Sequence, residues 1–138
     1  MPDLKLLKDE VKDFLNSQFE KNNLNIKINN LVLYRPVFHE PPFENIEVFN
    51  SPTRILSCDT LYIIVEFEYG NLSYEYELRY SNNNGDFQNT LCLLKYCDIL
   101  PGQDPKKIEE KMQEIAKLLG LTIVYTIVDL AKKRGESS

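Results

Sequence analysis

Three cysteines and one histidine are the residues of this chain best suited to covalent or metal chemistry. Cys92 is the candidate nucleophile. A thiolate can attack a carbonyl or carry a thioester, but it needs a cation or a helix N-terminus to lower its pKa. Lys95 is close in sequence, yet three residues along a strand place it on the opposite face. A buried, structural Cys92 is therefore the simpler expectation. Cys92 and Cys97 have no second cysteine pair, and His39 is remote from them. Zinc needs four N/S ligands, or three with an open position, so no metal site is expected, and no cofactor. His39 beside Glu40 has the chemistry of a base and its orienting carboxylate. No motif brings a serine or cysteine to them, and an ordinary loop histidine is expected.

The carboxylates are more informative. Residues 40–86 carry a net charge of −7, whereas residues 1–39 and 87–138 each carry +1. In the middle segment Leu61, Ile63, Val65, Phe67 and Tyr69 alternate with Tyr62, Ile64, Glu66 and Glu68. Gly70-Asn71 follow, and then Leu72, Tyr74, Tyr76, Leu78 and Tyr80 alternate with Ser73, Glu75, Glu77 and Arg79. Period two on both sides of a Gly-Asn pair predicts a β-hairpin with a type I′ or II′ turn. A two-residue turn sets Glu66 opposite Glu75, Glu68 opposite Ser73 and Glu77 opposite Ile64. Like charges facing each other across a ladder are destabilising. Tyr62, Ile64, Glu66, Glu68, Glu75 and Glu77 are thus the candidate partner-binding residues, an acidic patch suited to a basic segment of another protein. The carboxylates do not have the spacing of a calcium loop.

The wider composition agrees with a binding role. The chain has 138 residues, 43% hydrophobic and 27% charged, with a formal charge of −5. That describes one globular domain, expected over residues 1–134 with a disordered tail at 135–138. An acidic protein is not a general nucleic-acid binder, and Lys132-Lys133-Arg134 is too short a basic run to change that. No apolar run approaches the ~20 residues that span a bilayer. The first ten residues lack the apolar core of a signal peptide. With an odd cysteine count, this predicts a reducing compartment, cytoplasm or nucleus. The oligomeric state is not readable.

The elements that position these residues follow from periodicity. Asp3 can cap a helix with apolar residues at Leu4, Leu7, Val11, Phe14, Leu15 and Phe19, ending near Lys21 to Asn23. A strand follows over residues 24–34, with a bulge near Asn29-Asn30. Pro36, Pro41, Pro42 and Pro52 predict an irregular loop over residues 35–53, with a short edge strand at Ile46 to Phe49. After the hairpin and a turn at 81–86, Leu91 to Tyr96 form a further strand. Asp104 and Pro105 open a helix that carries Ile108, Met112, Ile115, Ala116 and Leu119, and Gly120 suits its C′ position. Residues 121–134 fit either a strand or a helix. The order predicts an α+β fold: an antiparallel meander of about four strands, covered on one face by helices.

The last third resembles the RWD family. The carrying residues are the helix Ile108 to Leu119, Gly120, and the segment Leu121 to Lys133 with Tyr125-Thr126-Ile127-Val128 at its centre. The resemblance is best over residues 60–134, and the family's Tyr-Pro-x-x-x-Pro turn is replaced by Tyr80 to Asp86. It implies an N-terminal helix, a meander and two C-terminal helices, in the fold of ubiquitin-conjugating enzymes without their catalytic cysteine. It also implies a non-catalytic docking or adaptor role. The alternatives are a divergent ubiquitin-type carrier using Cys92, although no His-Pro-Asn turn is present, and a small viral or parasite inhibitor of a host protein.

Overall fold

A computed structural model describes residues 5–38 and 44–136. His39, Glu40, Pro41 and Pro42 lie outside the described residues, as do Asp3 and Leu4. The fold is α+β. Helix α1 (Leu7–Lys21) precedes strands β1 (Ile26–Phe38) and β2 (Glu44–Val48). A short helix α2 (Pro52–Leu56) leads into β3 (Thr60–Tyr69), β4 (Leu72–Asn83), β5 (Asp86–Cys97) and a final helix α3 (Pro105–Glu136). The five strands form one antiparallel sheet in the order β2-β1-β3-β4-β5.

Local chemistry explains most boundaries. Leu6 occupies the N-cap of α1 and has no capping side chain, but the Leu7 N–H donates to Asn50 Oδ1 at 2.8 Å. Asn23 leaves the helix at φ 56°, and the Leu24 N–H returns to the Phe19 carbonyl, a glycine-free version of the usual left-handed exit. Asn16 of α1 grips both backbone groups of Ile28, accepting its N–H and donating to its carbonyl at 2.8 and 2.9 Å. The β1 register shifts between Ile28 and Asn30, as expected from the paired asparagines. Gly70 and Asn71 both have positive φ, 59° and 66°, which identifies the hairpin turn as type I′.

In the segment expected to be irregular, the described residues are mostly strand and helix. β1 runs through Pro36, which pairs with Ile46 of β2. Proline is tolerated there because β1 has lost β3 as a neighbour beyond Tyr34 and behaves as an edge. Pro52 then opens α2, with Ser51 as the N-cap accepting the Arg54 N–H.

The C-terminal pair of helices is a single one. α3 continues through Gly120 for 32 residues, about 48 Å at 1.5 Å per residue. Gly120 is no terminator. A Cβ there would collide with Tyr80 Oη and would lie 2.6 Å from Leu78 Cδ1. Glycine lets the helix axis approach the sheet. Residues 121–134 are helical because Ile123, Val124, Ile127 and Ala131 continue the buried stripe of Met112, Ala116 and Leu119; burial of a helical face overrides β propensity. The helix also passes through residues 135 and 136, which the sequence assigned to a disordered tail.

All three helices pack on one face of the sheet. Leu7, Val11 and Leu15 of α1, Ile55 of α2 and the α3 stripe enclose Ile28, Leu31, Leu33, Leu61, Ile63, Val65, Phe67, Tyr74, Tyr76, Leu78 and Tyr80. Arg134 near the end of α3 pairs with Glu10 of α1 at 2.6 Å. No described helix is long and apolar enough to cross a membrane.

Candidate functional site

The opposite face of the sheet has no helix over it among the described residues. Its side chains follow from the register. One row across the strands runs Val48, Tyr34, Tyr62, Arg79 and Leu91. The next runs Val32, Ile64, Glu77 and Leu93, and the third runs Asn30, Glu66, Glu75 and Tyr96. The first two rows are rich in apolar and aromatic groups, while the third, with Glu68 beyond it, is acidic. Val48 at the β2 edge and Leu93 and Tyr96 at the β5 edge are exposed at 56%, 41% and 55%, with the half-buried Val32, Tyr34, Tyr62 and Ile64 between them.

The hairpin register is the expected one: Glu66 faces Glu75, Glu68 faces Ser73 and Glu77 faces Ile64. The carboxylates nevertheless differ in kind. Glu66, Glu68 and Glu75 are half-buried along the acidic row. Glu77 is only 6% exposed. It accepts a hydrogen bond from the Tyr34 hydroxyl at 2.7 Å and pairs with Arg79 Nη2 at 3.1 Å. Burial works to raise its pKa, but the Tyr34 hydrogen bond and the Arg79 charge outweigh it and hold the carboxyl below the ordinary range. Tyr34 responds in the other direction: burial first, then the Glu77 bond and charge, push its hydroxyl up to about 12. Arg79 lies over the Tyr62 ring at 4.7 Å, and Tyr34 meets the same ring edge-on at 5.4 Å. Glu77 is therefore a correction to the acidic patch. Its charge is consumed inside a Tyr34–Glu77–Arg79–Tyr62 cluster that stiffens the centre of the face, and it offers no free carboxylate to a partner.

Opposed Glu66 and Glu75 carry a measurable cost. Replacing Glu75 with Gln should raise stability by about 0.2–1 kcal/mol, because like charges across a ladder repel by that order. Urea titration of the variant against the parent at neutral pH and low salt checks this. The gain should shrink as salt is added.

Cys92 points the other way. It pairs with Leu78 and joins the helix-covered face, half-buried beside Tyr76, Leu94, Glu109 and Gln113. Burial pushes its thiol up from the ordinary value, and the Lys117 charge offsets this in part. The nearby cation is thus Lys117 of α3, not Lys95, and it does not produce a lowered pKa. Cys58, Cys92 and Cys97 are all free thiols. No group of three metal-ligating side chains occurs among the described residues.

Sequence reasoning singled out Tyr62, Ile64 and the four glutamates, and the structure places all six on this one face. It missed Val32, Tyr34, Val48, Leu91 and Leu93, which complete the apolar part. Their alternation within each strand was available, but the strand order that makes them neighbours was not. The comparisons with known proteins add no identity: no family model, curated protein or solved structure matches the chain.

Proposed function

We propose that the chain is a non-catalytic docking domain of RWD-like type, and that its bare sheet face binds a segment of another protein. The observation that carries this reading is the juxtaposition on one uncovered surface of an apolar strip and an acidic row. Val32, Ile64, Tyr62, Leu91 and Leu93 offer area to bury. Glu66, Glu68 and Glu75 lie along one side of that strip. A segment with apolar residues followed by one or two Lys or Arg matches it, with apolar burial supplying affinity and the charges supplying register and association rate. The internal Tyr34–Glu77–Arg79 cluster supports the reading, since a stiff surface loses less entropy on binding. The half-buried, high-pKa environment of Cys92 favours this over thioester chemistry.

The test is selection from a displayed random-peptide library against the purified protein. Enriched peptides should carry basic residues next to apolar ones. Glu66→Lys combined with Glu75→Lys should weaken them about tenfold or more, and the uncharged Ile64→Ser should weaken them without changing the salt dependence. Peptides that lack basic residues, or binding unchanged by the double charge reversal, would refute the acidic-row reading.

A further inference from the structure

The solvent side of α3 carries a pattern that the fold does not use. Glu114, Leu118, Leu121, Tyr125, Val128 and Lys132 follow one another at intervals of 4, 3, 4, 3 and 4. Alternating threes and fours define the seam of a two-helix coil. This seam lies away from the buried stripe of Met112, Ala116, Leu119, Ile123 and Ile127. Leu118 is 66% exposed, Tyr125 60% and Leu121 37%, while Val128 is half-buried at the margin. Single exposed apolar residues need no explanation, but three in seam register on one helix, with the half-buried Val128 continuing the register, do.

The spacing also names the occupant, because it is symmetric about the level of Ile123. An antiparallel copy of the same helix, centred there, sets Leu121 opposite Tyr125, Leu118 opposite Val128 and Glu114 opposite Lys132. Each facing pair combines the two kinds of seam position, as antiparallel coils require, and each end closes on opposite charges. Glu114 and Lys132 are both exposed, and neither forms an ion pair within the chain among the described residues. They stand about 27 Å apart along the helix at 1.5 Å per residue. A parallel copy would instead set Glu114 against Glu114 and Lys132 against Lys132.

We propose that the chain self-associates through this seam, as a two-fold symmetric dimer of antiparallel α3 helices. The contact is isologous, so each favourable pair occurs twice. It uses the side of the molecule remote from the bare sheet face and stands independently of the docking role proposed for that face.

Sedimentation equilibrium of the intact chain, run over a wide concentration range, reads the dimer directly. Glu114→Lys and Lys132→Glu should each raise the dimer dissociation constant by about tenfold, since each creates two like-charge pairs. The double variant Glu114→Lys/Lys132→Glu should restore it. Tyr125→Lys should abolish dimerisation. All three positions are exposed, and circular dichroism checks that the variants fold. A chain that stays monomeric to millimolar concentration overturns the proposal. So does a dimer indifferent to both single reversals, or a double variant no better than the singles.

Discussion

Replacing Gly120 with Val should destabilise the protein by about 3 kcal/mol or more. Elsewhere in a helix the loss of glycine is an advantage of up to ~1 kcal/mol when Ala replaces it. At this position the new carbon meets Tyr80 Oη and Leu78 Cδ1. Both neighbours are almost fully buried and lie two residues apart on the covered face of β4, so neither can swing aside into solvent. The Tyr80 hydroxyl has no hydrogen-bond partner, which makes a compensating test available. Tyr80→Phe removes the clashing oxygen without leaving a polar group unpaired. In the Gly120→Ala background it should recover part of the lost stability, while on its own it should be close to neutral. Urea unfolding of the two single variants and the double variant measures the coupling. A Gly120→Val protein as stable as the parent would mean that the helix does not lie this close to the sheet.

Glu77→Ala should cost about 2–3 kcal/mol, well beyond the effect of any other carboxylate on the bare face. It deprives the Tyr34 hydroxyl of its acceptor and Arg79 of its counter-charge, and Arg79 Nε already lacks a partner. Glu77→Gln keeps an acceptor for Tyr34 and should cost less. The pH dependence has a definite sign. The folded carboxyl titrates below its ordinary value, so its stabilisation is present above the unfolded carboxylate pKa, about 4.3. It is lost as pH falls through the folded pKa. The stability difference between the parent and Glu77→Gln should therefore be largest near neutrality and shrink at the acid end of a pH series. Tyr34 acts at the other extreme. Its raised pKa of about 12 stabilises the fold below the unfolded tyrosine value near 10. That contribution disappears as pH rises towards 12.

The hairpin was legible because its information is local. Period-two alternation and one Gly-Asn pair specify both the register and the face. The bulge at Asn29-Asn30 and the Asp104-Pro105 start of the last helix were legible for the same reason. Three features were not. Gly120 has the sequence signature of a helix stop, and only Tyr80, forty residues earlier in the chain, reveals that it is there for clearance. Pro36 signals a break, and only the absence of a second neighbour for β1 makes it acceptable within a strand. Glu77 looks like the other glutamates of its hairpin. Its burial depends on Tyr34, 43 residues away. Each misreading concerns a residue whose local preference was real but whose setting was decided by a distant partner.

The position of α3 in the chain has a consequence for biosynthesis. Every strand leaves the ribosome before this helix does. Until residues 105–136 emerge, the covered face of the sheet has only α1 and α2 to shield Phe67, Tyr76, Leu78 and Tyr80. A nascent chain in that interval presents broad apolar surface and two open strand edges, the conditions that recruit chaperones or lead to aggregation. Closure of that face is then expected to follow emergence of the helix.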